Sequence, residues 1–316
     1  MAGAILIVAT GWNQEDWAAP IRKAAAARDL RLWPDAGDPG EVAYVLAWNP
    51  PPAFFTRFPN LRAVFSLGAG VDHLIFRDDL PDVPIVRVVN ADLTARMTEW
   101  VTLQALMHLR GQRRYDRQQA ERVWHEHRDQ PAAADVRVGI MGMGVLGRPA
   151  AAVLSAIGFG VAGWSRRPAS VPGVGSFHGA GQLDAFLART DILVSLLPLT
   201  PETRGLLAMP LFRKLARAGR LGGPVLINGG RGGVQVEADI VEALDKGILV
   251  GASLDVFSRE PLDPASPLWE RNNVIITPHA AATSTASAIA PAILAQIEAF
   301  ERGEPLVNVV DRKSCY

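Results

Sequence analysis

Short apolar runs alternate along the chain with longer amphipathic or alanine-rich segments. Runs with the length of buried strands lie at residues 4–9, 30–33, 43–48, 61–67, 85–88, 136–141, 160–164, 191–196, 224–228, 250–255 and 274–277. Segments with a helical pattern lie between and after them, at residues 16–28, 93–110, 148–157, 236–246 and 286–302, with a second helix expected through Val123. Strand runs that alternate with helical segments predict an α/β protein whose parallel sheets are covered by helices on both faces.

The alternation divides into two domains. The chain has 316 residues, of which 49% are apolar, enough for two cores. We assign residues 98–283 to one continuous domain, and residues 1–97 with 284–316 to a discontinuous one, with the first crossing in the helix near Met97. The helix predicted at 286–302 returns the chain to the first domain.

The second domain opens on a glycine-rich turn directly after a predicted strand. The motif comprises Gly142, Gly144, Val145, Leu146 and Gly147, which match G-x-G-x-x-G, and a helical segment follows. Gly142 permits a tight turn, Gly144 lets the backbone approach a pyrophosphate, and Gly147 lets the helix pack on the strand. The helix N-terminus offers N–H groups to phosphates. Strand, turn and helix in this order predict a Rossmann-like dinucleotide site, whereas the three glycines alone could form a turn without a ligand.

The next strand ends in a basic loop. Sites for NAD usually carry an acidic residue about 20 residues after the glycine turn, where it binds the ribose hydroxyls. Here Ser165, Arg166 and Arg167 stand at that strand end, and they can bind a 2′-phosphate. The sequence therefore predicts NADP(H) as the preferred cofactor, with NAD(H) possible; two solvated loop arginines are the plainer interpretation.

Composition excludes several classes of partner. Lysine plus arginine (32) balances aspartate plus glutamate (32), so charge gives no case for nucleic acid or an anionic membrane. The run 4–9 lacks a preceding basic region and favours a strand over a signal sequence, and no apolar stretch is long enough to span a bilayer. The single cysteine, Cys315, excludes an internal disulfide, which fits the cytoplasm. We expect no metal site.

Three further stretches extend the pattern set by the glycine turn. They are Leu-Ile-Asn-Gly-Gly-Arg-Gly-Gly at 226–233, Leu-Asp-Val-Phe-Ser-Arg-Glu-Pro at 254–261 and Thr-Pro-His-Ala at 277–280. Together these motifs resemble the D-2-hydroxyacid dehydrogenase family, in register from about Leu61 to the C-terminus. Within it, residues 66–72, 140–147 and 310–312 look most like the bacterial glyoxylate/hydroxypyruvate reductase A group. The resemblance implies two Rossmann-like, doubly wound parallel-sheet domains, of which the discontinuous one binds substrate.

The resemblance also implies the catalytic groups. Arg231 would hold the substrate carboxylate and polarise its carbonyl, His279 would donate the proton, and Glu260 would orient the imidazole and favour its charged form. Histidine suits this role because its unperturbed pKa lies near neutrality. Taken alone, each of these residues would more often be an ordinary loop residue. Glu260 also matters for subclass, since formate dehydrogenases of this fold have glutamine there.

Substrate residues are expected in the first domain. The loop after the fourth predicted strand, Gly68, Ala69 and Gly70, could form an anion nest for the carboxylate, or be a plain turn. Trp48 ends a strand and could wall the site or belong to the core. Trp124 could reach a neighbouring subunit's site, as a tryptophan in this region does in related reductases.

The rest of the cofactor groove is inferred from the family. The residues implied are Leu197, Pro198, Thr203, Gly229, Gly230 and Asp255. Thr203 would contact a phosphate, and the Gly230 backbone with Asp255 would face the nicotinamide amide. Gly230 departs from the alanine that the family usually has before the arginine.

The function implied is NADPH-dependent reduction of small 2-oxo acids, glyoxylate and hydroxypyruvate first, by a homodimer built on the region 93–123. Two alternatives stay open. One is a dehydrogenase for a bulkier 2-oxo acid, because sequence does not fix the size of the site. The other is a nucleotide-sensing binding protein, since transcriptional corepressors share this scaffold.

Overall fold

The computed structural model describes residues 3–313, so Cys315 lies outside the described residues. The strands are β1 (Ala4–Ala9), β2 (Leu30–Leu32), β3 (Val42–Trp48), β4 (Ala63–Ser66), β5 (Ile85–Val86), β6 (Arg137–Met141), β7 (Gly160–Ser165), β8 (Gly175–His178), β9 (Ile192–Ser195), β10 (Val225–Asn228), β11 (Gly251–Leu254) and β12 (Val274–Ile276). The helices are α1 (Gln14–Ala24), α2 (Asp72–Ile75), α3 (Ala91–Arg110), α4 (Gln112–Glu121), α5 (Gly147–Ile157), α6 (Leu183–Ala188), α7 (Met209–Phe212), α8 (Glu237–Asp245) and α9 (Ala286–Glu301).

The described residues up to Asp92, together with those from Ser284 onwards, form one compact unit. Its sheet has the order β2-β1-β3-β4-β5, and every pairing is parallel. The strands β1 and β4 are buried along their whole length, as apolar runs covered on both faces should be. Arg28 on one side of the unit and Glu301 in α9 form a bidentate ion pair at 2.6 and 2.7 Å, which ties the returning helix to the N-terminal half.

The second unit, Leu93–Thr283, contains a sheet of order β12-β11-β10-β9-β6-β7-β8, again parallel throughout. The strand order reverses at β6, which has β9 on one side and β7 on the other. Ligands of open α/β sheets bind beyond the carboxyl ends of the strands at such a switch point. A ligand site is therefore expected in the loops at these strand ends.

The predicted α/β class with two parallel sheets is confirmed, but the second sheet has one strand more than the pattern indicated. Strand β8, Gly175–His178, lies at the sheet edge and is largely exposed, so it carries no apolar run. The helix expected through Val123 ends instead at Glu121, where Arg122 takes a left-handed conformation (φ 57°). No helix within residues 3–313 is long and apolar enough to cross a membrane.

His108 of α3 contributes a pH-dependent term to stability. Its Nε2 lies 2.8 Å from the buried Ser253 Oγ of β11, and burial lowers the pKa of His108 to about 4. In the unfolded chain, His108 binds a proton as the pH falls below about 6.5, whereas in the folded protein it stays neutral down to about pH 4. The free energy of unfolding is therefore highest above pH 6.5 and falls as the pH is lowered towards 4. We expect the free energy of unfolding to fall by roughly 1–3 kcal/mol across this window.

Urea unfolding of wild type and His108→Gln at several pH values measures this term. Glutamine can still hydrogen-bond to Ser253 but does not titrate, so the variant should lose the corresponding slope. An identical pH dependence in both proteins would contradict this account of His108.

Candidate active site

The glycine turn between β6 and α5 is built to fit a dinucleotide. Gly142 has a φ of 103°, and a Cβ there would lie 2.8 Å from Leu196 O. A Cβ on Gly147 would lie 2.0 Å from Gly142 O, so the helix packs on the turn only with glycine. A Cβ on Gly144 would meet nothing within 4 Å. Two glycines thus close the turn and the third leaves its surface open, as a pyrophosphate requires.

Val145 and Leu146 lie within this turn, where Val145 is exposed and Leu146 partly buried. The first turn of α5 contains the positively charged Arg148, which donates a hydrogen bond from Nε to Met143 O at 3.1 Å. The Met143 side chain is itself buried against Gly163 of β7, where a Cβ would approach its sulfur to 2.3 Å. The glycine turn is therefore held by contacts with both α5 and β7.

The basic loop follows β7 at the same edge. The Ser165 hydroxyl donates to Arg167 O at 2.6 Å, which folds the loop back on itself, while Arg166 and Arg167 are exposed. On the loop after β9, the Thr200 hydroxyl donates to Glu202 and lowers the pKa of that carboxyl, and the charge of Arg166 lowers it further. Arg166 thus lies close enough to the β9 loop for its charge to act there.

The β9 loop carries three of the predicted cofactor residues. Leu197 is buried and Pro198 is half-buried. The Thr203 hydroxyl donates to Pro198 O at 2.6 Å and accepts from Thr200 N–H at 2.8 Å. These bonds stabilise the loop, and the predicted phosphate contact of Thr203 stays a prediction.

Arg231 follows β10 and is positioned by buried amides that the sequence did not indicate. Asn228 Nδ2 donates to Gln235 Oε1 at 2.8 Å, and Gln235 Nε2 donates to Val256 O at 2.9 Å. Asn228 Oδ1 accepts from Gly230 N–H at 3.0 Å. Buried side-chain amides whose oxygen and nitrogen are both hydrogen-bonded make a loop rigid. The side chains of Asn228 and Gln235 therefore fix the segment that carries Arg231.

The glycines around Arg231 lie in close contact with neighbouring atoms, which leave no room for a side chain. A Cβ on Gly230 would lie 2.6 Å from Leu197 O, and one on Gly232 would lie 1.9 Å from Phe257 O. Gly229 packs against Trp100, which a Cβ would approach to 3.0 Å. Glycine at position 230, where the family usually has alanine, therefore fits this structure, because Leu197 O lies where the alanine Cβ would be. A backbone contact of Gly229 or Gly230 to the nicotinamide stays a prediction.

His279 and Glu260 form the central pair of the site. Imidazole Nδ1 lies 2.7 Å from Glu260 Oε2, and the other carboxylate oxygen accepts from Phe257 N–H at 2.9 Å. An ionised carboxylate only accepts, so Nδ1 donates and Nε2 is the nitrogen left for a substrate. The His279 side chain keeps 38% of its surface exposed, which leaves room for that contact.

The charge of Glu260 is maintained by its neighbours. Burial raises the pKa of this carboxyl, but the hydrogen bonds from His279 and Phe257 and the charges of His279 and Arg231 lower it by more, so its pKa lies below the ordinary value. Arg231 thus lies close enough to act on Glu260. The structure brings Arg231, Glu260 and His279 together at the carboxyl ends of β10, β11 and β12.

Asp255 at the end of β11 orients the histidine loop. Its carboxylate is buried and accepts from Thr277 Oγ1 at 2.5 Å, Ala280 N–H at 2.8 Å and Ala281 N–H at 3.0 Å. Its carbonyl accepts from His279 N–H at 2.8 Å. His279 has a φ of 53°, a strained conformation for a residue with a side chain. Asp255 therefore holds a strained loop, and its predicted contact with the nicotinamide stays a prediction.

The predicted substrate residues lie in the other unit, at the carboxyl ends of β3 and β4. Trp48 is partly buried, and its ring lies against Gly68, where a Cβ would approach Cζ3 to 2.5 Å. The buried Ser66 Oγ lies 2.9 Å from Gly68 O and 3.0 Å from Gly70 O. Ser66 thus fixes the conformation of the loop 68–70, which includes Ala69. The contact of this loop with a carboxylate stays a prediction.

Comparison with known proteins gives a consistent result. Residues 102–281 match the family described as D-isomer specific 2-hydroxyacid dehydrogenase, NAD binding domain. The chain is 38% identical over 306 residues to a glyoxylate/hydroxypyruvate reductase A of Serratia proteamaculans, an alignment that covers 95% of this chain and 96% of the relative.

Solved structures extend the likeness to the whole chain. An NADPH-dependent glyoxylate/hydroxypyruvate reductase of Sinorhizobium meliloti, in complex with NADP and sulfate, has a TM-score of 0.94 at 49% identity and covers 99% of this chain and 100% of that one. A probable 2-hydroxyacid dehydrogenase of Rhizobium etli, in complex with NADP, HEPES and L(+)-tartaric acid, has a TM-score of 0.93 at 50% identity, with both chains covered completely.

Proposed function

The chain belongs to the D-isomer specific 2-hydroxyacid dehydrogenase family, and we propose that it uses NADPH to reduce small 2-oxo acids, glyoxylate to glycolate and hydroxypyruvate to glycerate. The relatives named for this activity match nearly the whole chain, which supports the proposal. In this proposal the continuous unit binds the cofactor, and the discontinuous unit contributes the loop 68–70 to the substrate.

The nicotinamide supplies a hydride to the carbonyl carbon when it is bound. The guanidinium of Arg231 pairs with the substrate carboxylate and polarises the carbonyl, because its fixed fork of donors matches both oxygens. As negative charge develops on the carbonyl oxygen, His279 donates its Nε2 proton to that oxygen. Glu260 accepts from Nδ1, so it orients the ring and stabilises the imidazolium.

The observation that carries the proposal is the 2.7 Å pair between His279 and Glu260 beside Arg231. NADPH that carries deuterium at both C4 positions of the nicotinamide, incubated with glyoxylate, tests it by mass spectrometry of the product. Glycolate that carries one deuteron on C2 is the expected result. Oxidation of the cofactor without deuterium in glycolate would contradict hydride transfer to the carbonyl.

The cofactor preference rests on Ser165, Arg166 and Arg167. The residues expose two guanidinium groups at the end of β7, where NAD sites usually carry an acid. We expect the double variant Arg166→Ala, Arg167→Ala to raise the KM for NADPH by at least about tenfold, because the loss of even one hydrogen bond between charged groups costs roughly 1.5–3 kcal/mol. The KM for NADH should change little, since NADH has no 2′-phosphate to lose.

Initial rates with both cofactors measure this, and Arg213→Ala, Arg217→Ala is a matched control. Those two residues are also exposed arginines but lie on another segment of the same unit. Equal effects on NADPH and NADH, or an equal effect of the control variant, would contradict specific recognition of the phosphate.

We also propose a homodimer formed through α4 and the segment after it. None of the residues of α4 is buried, and Trp124 is fully exposed. A large aromatic side chain in water is costly, and such residues mark interaction surfaces. Light scattering should give twice the mass of the chain, and Trp124→Ala should weaken the association; a monomer at micromolar concentration would contradict it.

The cytoplasm is the compartment we propose. A chain whose single cysteine is Cys315 has no internal disulfide for an oxidising compartment to maintain.

A further inference from the structure

Three tryptophan side chains of the discontinuous unit stack on one another, and a histidine ring packs at an angle against the last of them. The ring of Trp12 lies 5.8 Å from that of Trp17 at an angle of 9°, and 4.6 Å from that of Trp48 at 14°. Trp48 in turn contacts His73, with ring centroids 4.6 Å apart. Trp17 is buried, whereas Trp12 keeps 42% of its surface exposed. Trp12 is therefore the exposed central ring of the stack, between the buried Trp17 and the partly buried Trp48.

The stack lies at the carboxyl end of the sheet. Trp12 follows β1, Trp48 ends β3, and His73 lies on α2 after the loop 68–70. The backbones are joined as well, because Thr10 N–H donates to Trp48 O at 3.0 Å and Trp12 N–H donates to Ala9 O at 3.2 Å. Trp12 is thus held beside Trp48 by its backbone and by its ring.

The chain leaving Trp48 is fixed on its other side. Arg77 donates from Nη1 to Pro50 O and from Nη2 to Pro51 O, both at 2.8 Å, and pairs with Asp79 at 2.8 Å. Asp79 also accepts from Phe55 N–H at 3.1 Å. With the backbone fixed, the freedom that remains for Trp48 is the rotation of its side chain, which the ring of Trp12 limits.

The Trp48 ring touches the loop proposed to hold the substrate carboxylate. A Cβ on Gly68 would lie 2.5 Å from Cζ3 and 3.3 Å from Cε3 of that ring. The ring therefore bounds the space next to the carboxylate, where the substituent on the carbonyl carbon of a 2-oxo acid must fit. A ring that could turn away from Gly68 would open that space.

We propose that Trp12 is a positioning residue for substrate selectivity: by stacking on Trp48 it keeps that ring against Gly68, so that the site accepts two- and three-carbon 2-oxo acids and rejects a bulky substituent. The inference rests on the proposed function and deepens it. Neither the length of the chain nor the motifs around Arg231 and His279 specify this size limit; the stack does.

The test compares wild type, Trp12→Ala, Trp12→Phe and Trp269→Ala. Trp269 is a matched control, since it is an exposed tryptophan (51%) in the other unit. For each protein, kcat/KM is measured with glyoxylate and with phenylpyruvate, together with the KM for NADPH. Binding of oxalate and of phenylpyruvate is measured by calorimetry in the presence of NADP, so that a readout exists without turnover. Near-ultraviolet circular dichroism reports the stacked indoles.

Trp12→Ala should lower the ratio of kcat/KM for glyoxylate to that for phenylpyruvate by about tenfold or more, the scale on which an apolar pocket discriminates size. The dissociation constant of phenylpyruvate should fall relative to that of oxalate, which is the same change in selectivity. Trp12→Phe should restore most of the selectivity, and the KM for NADPH should stay the same. The near-ultraviolet signal of the indoles stacked on Trp12 should disappear in both Trp12 variants.

An unchanged ratio in Trp12→Ala, or an equal fall in Trp269→Ala, would overturn the inference and leave the proposed function intact. Absence of turnover by wild type with any 2-oxo acid would refute the proposed function instead. In that case the binding measurement still decides the inference, since a size limit set by Trp12 would appear in the dissociation constants.

Discussion

Replacing His279 with alanine lowers kcat for glyoxylate reduction by roughly two to four orders of magnitude, the usual loss when a general acid is removed. The alkoxide that forms at the carbonyl oxygen must then take its proton from water. Initial rates at saturating NADPH measure the loss. The KM for NADPH should change little, because His279 follows β12 while the glycine turn follows β6.

His178→Ala is the control for this substitution. His178 ends the exposed edge strand β8, so its loss should leave kcat near the wild-type value. Glu260→Gln provides a second test, since glutamine keeps the size of the side chain but removes the carboxylate that stabilises imidazolium. Its kcat should also fall, because His279 Nδ1 then lacks a charged acceptor. Near wild-type turnover of His279→Ala would refute the role of His279.

Arg231→Ala should lower kcat for glyoxylate reduction by about 10²–10³-fold, the loss found when a donor to a developing oxyanion is removed. The variant also loses the partner of the substrate carboxylate, so KM should rise as well. Arg231→Lys should recover only part of the activity, because a single ammonium lacks the fixed fork of a guanidinium.

Arg259→Ala controls for the loss of one positive charge in the same unit, since Arg259 is exposed and precedes Glu260 in the chain. Full activity of Arg259→Ala beside a strong loss in Arg231→Ala is the expected pattern. Circular dichroism should show that both variants are folded. Equal activities of the two variants would contradict a specific role for Arg231.

The sequence predicted the parts of the fold in which burial leaves a pattern. Strands such as β1 and β10 are buried along their length and appear as apolar runs. Strand β8 was missed because an exposed edge strand has no such run. The end of α4 was placed too late, because Arg122 takes the left-handed conformation without a glycine to indicate it.

The site likewise contains some residues that the sequence predicted and others that it did not. The glycine turn was predictable because each glycine has a steric reason within a few residues of chain. The pairing of His279 with Glu260 came from the family resemblance, since neither spacing nor periodicity relates residues that meet through folding. Asn228 and Gln235 were missed because a buried amide network leaves no periodic pattern, and the stack on Trp12 was missed because ring contacts between loops do not appear in sequence.

The central claim is that this protein is an NADPH-dependent reductase of small 2-oxo acids. Initial rates of NADPH oxidation and, separately, NADH oxidation, with glyoxylate and with hydroxypyruvate, test it most directly. The account predicts turnover of both acids, with kcat/KM for NADPH well above that for NADH. Tight binding of NADPH without turnover of either acid, or of any other 2-oxo acid, would contradict the claim and favour a nucleotide-sensing protein on the same scaffold.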